Sequence, residues 1–100
     1  MAEATQYFVV LGTDAEGKQE LRQELRPRHR EWLREHPGHA VTVLHGGPTL
    51  DCEGDMDGTL LIVEAANRQA VEAFVAADPY VRHGLFHQLQ VRRWAWSLGR

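Results

Sequence analysis

Two five-residue runs, Tyr7–Leu11 and Thr59–Val63, are apolar at nearly every position. A strand with one wet face alternates apolar and polar residues, so a continuous run predicts a strand covered on both faces. Between the runs, Gly12 to Gly17 reads as a polar turn, and Leu21 and Leu25, four apart, begin a helical pattern. Pro27 breaks that pattern, since an interior proline loses a hydrogen bond and clashes with the preceding turn, yet it suits a first helical position. The expectation is a short helix to about Leu25 and a second from near Pro27 to near His36, where Pro37-Gly38 stops it. Ala40–His45 is another strand, closed by Gly46-Gly47-Pro48, and Thr49 to Asp57 is an acidic loop. Asn67 is a good N-cap for a helix to Ala77. Pro79 opens one more turn, ended by Gly84, before a last strand from about Phe86 to Trp96.

The order β-α-β-β-α-β predicts a ferredoxin-like α+β sandwich: a four-stranded antiparallel sheet with the helices on one face. Helices on one face leave the other apolar face bare. A second copy of the sheet would cover it, so a homodimer is expected.

One hundred residues make one domain, 1–100, burying roughly two-thirds of the surface its unfolded chain exposes. Fourteen acidic against eleven basic residues, net −3, argue against nucleic acid or an anionic membrane as the main partner. Lys18 is the sole lysine, and the arginines near residues 22–34 read as a solvated helix face. Cys52 is alone, so no intramolecular disulfide forms. No basic, apolar leader opens the chain, and no run approaches the roughly 20 apolar residues of a membrane helix. A soluble cytoplasmic protein is the expectation.

Two polar residues interrupt the apolar stripes. His29 lies in register with Trp32, Leu33 and His36; Asp78 lies in register with Val71, Phe74 and Val75. Both sit at helical core-facing spacing, where an unpaired imidazole or carboxylate costs free energy. The economical partner for each is the other, and such a pair in a cleft is suited to moving protons. A buried structural tie is the competing reading. Asp78 before Pro79 is also a good cap for the short turn, and its two oxygens allow both tasks.

Arg26-Pro27-x-His29, then Gly46-Gly47-Pro48, then Asp78-Pro79-Tyr80 with Gly84 behind it, resembles the YCII-like (YciI) family. The resemblance spans Tyr7 to about Trp96. It implies a dimeric α+β barrel, two sheets closing on each other, with His29 and Asp78 in a cleft. A characterised branch is a dehydrochlorinase of a chlorinated hydroxyquinol, and superfamily relatives include muconolactone isomerases and cofactor-free monooxygenases. The expectation is an enzyme needing no cofactor that moves a proton on a small enol, phenol or lactone, giving elimination or isomerisation. His29 and Asp78 would be catalytic; Gly46, Gly47, Pro48 and Tyr80 would bind the small-molecule ligand. The alternatives are a non-catalytic ligand-binding or accessory module, and a cofactor-free monooxygenase.

The remaining motifs have plainer readings. Gly46 and Gly47 either admit a ligand close to the backbone or form a strand-ending bulge. His45, His83 and His87 lack zinc-ligand spacing, so no metal is expected. Glu53-x-Asp55-x-Asp57-Gly58, with Glu64 beyond, imitates an EF-hand loop, but strand patterns flank it where helices are required. Trp94 and Trp96, with Arg92, are expected on one strand face as a dimer contact.

Overall fold

The computed structural model describes residues 5–35 and 40–99; the expected helix stop at His36 and Pro37-Gly38 lies outside them. In chain order the elements are β1 (Gln6–Asp14), α1 (Gln19–Arg34), β2 (Thr42–Leu50), β3 (Met56–Ala65), α2 (Arg68–Ala77), α3 (Pro79–Arg82) and β4 (Phe86–Trp94). The strands form one sheet in the order β2-β3-β1-β4, antiparallel throughout. This is the ferredoxin-like α+β arrangement expected. Among the described residues no helix is long and apolar enough to cross a membrane.

β1 is longer than its apolar run because it is central. Gly12, Thr13 and Asp14 pair with β4 and Gly12 and Thr13 also with β3, so ladder hydrogen bonds hold residues of low strand preference. Phe8 and Val10 of β1 and Leu61 and Val63 of β3 point to the helices, where they meet Val71 and Phe74 of α2. Trp32 of α1 stacks on Phe74, ring centres 4.5 Å apart, and joins the two helices.

Three expectations need correction. First, Pro27 does not divide the first helix: α1 runs unbroken through it. Pro27 is exposed, while Leu25, His29, Trp32 and Leu33 continue one inward stripe past it. Burial of that stripe outweighs the local penalty of about 3 kcal/mol for an interior proline.

Second, Gly46-Gly47-Pro48 does not close β2 but lies within it. β2 is an edge strand, where proline's missing N–H removes no ladder bond if it faces outward. The acidic loop shrinks accordingly to a hairpin tip, in which Asp51 Oδ1 accepts the Glu53 and Asp55 amides at 2.9 and 3.0 Å. Gly58 is required beside it, because a Cβ there would overlap the Gly12 carbonyl and sit 2.5 Å from Thr49 Oγ1.

Third, β4 ends at Trp94, so Trp96 is not a strand residue. Its ring meets Trp94 at 5.7 Å, Tyr7 at 5.5 Å and His45 at 5.9 Å between centres. Tyr7 is on β1 and His45 on β2, with β3 between them. The segment after β4 therefore turns back across the face of the sheet opposite the helices. The rest of that face carries Val9 paired with Ile62 and Leu11 paired with Leu60.

Candidate functional site

His29 occupies the interior of α1 rather than a helix start, so neither end of the helix dipole acts on it closely. Its placement follows from the inward stripe, and its exposure is 3%. Asp78 ends α2 and begins α3 in an extended conformation, with 5% exposure. Asp78 Oδ1 accepts the Tyr80 amide at 2.7 Å, capping α3, and Oδ2 lies 3.1 Å from His29 Nε2. Two residues 49 apart in the chain are thus joined by a buried contact. The carboxylate accepts from Nε2–H, which leaves the lone pair of the neutral ring on Nδ1.

Tyr80, on α3, stacks on His29 with ring centres 3.8 Å apart and planes 16° from parallel. The Arg22 guanidinium lies 4.8 Å from the same ring's centre. Burial, the largest influence, pushes the Tyr80 phenol above its usual 10, although Arg22 and Arg26 pull against it and Asp78 and Asp14 add to it. At neutral pH Tyr80 is a protonated hydrogen-bond donor.

A pocket of about 270 Å³ opens between α1 and β2. His29 and Tyr80 border it, facing Gly46, Gly47 and Pro48 of β2 and Leu61 of β3. All the residues expected to bind ligand therefore gather at one cavity, with Asp78 behind His29. The irregularity expected at the glycine pair falls earlier, at Leu44, where the pairing jumps from Val43–Val63 to His45–Ile62. Gly46 and Gly47 pair regularly with Leu61 and Leu60. A side chain at Gly46 would press within 2.8 Å of Leu61, whereas one at Gly47 would meet nothing within 4 Å. The other described histidines stand elsewhere: His45 meets Trp96, His83 Nδ1 donates to the Pro79 carbonyl at 2.8 Å, and His87 is exposed on β4.

The arginines of α1 correct a further expectation. Arg22 is not solvated; it is 2% exposed and grips Asp14 with two bonds, Nε–Oδ2 at 2.6 Å and Nη2–Oδ1 at 2.8 Å. Nη2 also donates to Thr59 Oγ1 at 2.8 Å. Arg26, Arg30 and Arg34 join Arg22 around the pocket. The spacing of four between successive arginines was the available signal, since it places them on one side of a helix.

The model for the YCII-related domain matches residues 6–95. Among solved structures, the chain is similar to a 5-chloro-2-hydroxyhydroquinone dehydrochlorinase from Burkholderia phenoliruptrix, seen in complex with 2,5-dihydroxybenzoquinone. The identity is 31%, the TM-score is 0.79, and 89% of this chain and 93% of that one are covered. SnoaB, a cofactor-independent oxygenase from Streptomyces nogalater, shares 13% identity at a TM-score of 0.54, with 95% of each chain covered. The ribosomal protein S6 of Thermotoga maritima shares 14% at 0.54, covering 91% of this chain and 89% of that one. An oxygenase and a ribosomal protein on one architecture show that these last two likenesses concern the fold alone. Among curated proteins no sequence relative matches.

Proposed function

The chain belongs to the YCII-related domain family, and from that premise we propose that it is a cofactor-free enzyme moving a proton on a small enol, phenol or lactone. The observation that carries this reading is the contact between His29 Nε2 and Asp78 Oδ2, 3.1 Å, on the wall of a pocket sized for one ring. Asp78 holds Nε2–H, so Nδ1 is the nitrogen for proton exchange, and the carboxylate stabilises the imidazolium that forms. His29 takes the proton from an enol or phenol O–H. The released electron pair enters the ring and the proton returns at a ring carbon, which is isomerisation to the keto form. Where that carbon bears the leaving group, loss of a second O–H proton sends another pair through the ring and expels the anion with its bonding pair, leaving a quinone, which is elimination. Tyr80 donates a hydrogen bond to the developing oxyanion, and Gly46-Gly47-Pro48 lets the substrate approach the backbone of β2.

The dehydrochlorinase likeness makes elimination of chloride from 5-chloro-2-hydroxyhydroquinone the first activity to assay. With that substrate, His29→Ala is expected to lose at least about a hundredfold in chloride release, the size of a general-base contribution. Its far-UV circular dichroism stays that of the parent. Simultaneous loss of the folded signal would mark His29 as a structural tie.

The working unit in this reading is a homodimer that pairs the helix-free faces of two sheets. Support comes from Val9, Leu11, Leu60 and Ile62 on that face, with Leu60 38% exposed. A strand face this apolar is stable in water only when covered.

A further inference from the structure

The charge around the pocket indicates what kind of molecule enters it. Arg22, Arg26, Arg30 and Arg34 all border the cavity. Each step of four residues advances about 40° around a helix, so the four share one third of the circumference of α1. Glu20, Glu24, Glu31 and Glu35 fall about 100–160° from the centre of that arc, and none of them borders the cavity. The two carboxylates beside the site are already engaged, Asp14 by Arg22 and Asp78 by His29. Among the described residues no acid lies within ion-pairing distance of Arg26, Arg30 or Arg34. A chain of net charge −3 therefore gathers at one opening three guanidinium groups that no described carboxylate pairs. The wall between them is apolar, formed by Leu33, Leu61 and the Tyr80 ring.

Arginines four apart on one helix repel one another, and a negative ligand at the opening would offset that repulsion. A planar fork of N–H donors matches a carboxylate with two parallel bonds. The volume of about 270 Å³ holds a single ring with small substituents. We propose that the pocket selects a single-ring substrate bearing a carboxylate. Arg26 and Arg30 grip the carboxylate, the ring packs on Leu61 and Tyr80, and a ring hydroxyl reaches His29. This assignment deepens the proton-transfer reading and rests on it for the orientation of the hydroxyl.

Isothermal titration at pH 7 with 2,5-dihydroxybenzoate and its uncharged isostere 2,5-dihydroxybenzamide tests the charge requirement. The benzoate is expected to bind at least about tenfold more tightly. Arg26→Gln and Arg30→Gln should each weaken the benzoate about tenfold and leave the amide unchanged. Both side chains reach solvent, so both variants are expected to fold, as circular dichroism will verify. Raising NaCl from 50 to 500 mM should weaken the benzoate alone. Arg82→Gln, an exposed arginine outside this pocket, should change nothing.

Equal affinity for the two ligands would overturn the assignment, as would inorganic phosphate binding as tightly as the benzoate. So would an Arg82→Gln effect equal to those at Arg26 and Arg30. Turnover of the amide at the rate of the benzoate, with equal affinity, removes the carboxylate requirement and spares the proton transfer. Arginine-dependent benzoate binding, with no proton exchange or elimination on any dihydroxybenzene, keeps the anion site and removes the chemistry.

Discussion

Each oxygen of Asp78 has its own task, Oδ1 receiving the Tyr80 amide at the head of α3 and Oδ2 the imidazole of His29. Substitution can separate the two. Asparagine is as good a cap as aspartate but carries no charge to stabilise an imidazolium. Asp78→Asn is therefore expected to stay within about 1 kcal/mol of the parent in urea denaturation, while turnover drops at least about tenfold. Asp78→Ala loses the cap as well and falls a further ~1–2 kcal/mol in stability. Full turnover in the asparagine variant would show that the carboxylate's charge has no part in the reaction. Arg22 has a different character: its charge is satisfied by Asp14 and Thr59, so it walls the pocket without being free to bind.

α1 carries the site on a helix that local preference would have broken. Pro27 gives up the hydrogen bond to Gln23 and crowds its carbonyl, yet lies on the exposed side. The inward stripe that places His29 continues past it undisturbed. Pro27→Ala is expected to raise stability by about 1–2 kcal/mol, the helix penalty less the entropy proline removes from the unfolded chain. Thermal denaturation should show a Tm several degrees higher. An unchanged or lower Tm would mean that the proline fits the shape of α1. β2 makes a similar accommodation, keeping Gly46-Gly47-Pro48 in a ladder because an edge strand needs partners on one side only.

The whole molecule is lopsided. Both long helices cover one face of the sheet, and among the described residues the opposite face has only the returning segment at Trp96 laid over one end. Docking of two such faces is the assembly proposed above, and Leu60 is its most direct probe. Leu60→Asp places a charge on the apolar strip without touching the helix-facing core, and an unpaired buried charge is strongly disfavoured at an interface. Light scattering coupled to size exclusion should give the mass of two chains for the parent and of one for the variant. A parent that runs as one chain would remove the dimer.

The order and type of the elements, the inward stripes of the helices and the meeting of His29 with Asp78 were legible in the chain. Each rests on short-range periodicity or on the high cost of a lone polar group in a core, and both are properties of residue identity. Gly46-Gly47-Pro48 and Tyr80 were legible as pocket residues through their resemblance to a family pattern. Tertiary structure decided the rest. Pro27 is tolerated because burial on both sides of it exceeds a local penalty, and β1 extends past Leu11 because two neighbours hold Gly12 and Thr13. Trp96 leaves its strand once β1 and β2 offer rings beyond the end of β4. Arg22, Arg26, Arg30 and Arg34 become pocket residues when β2 packs beside α1, since a charged helix face looks the same in sequence whether water or a cavity lies against it.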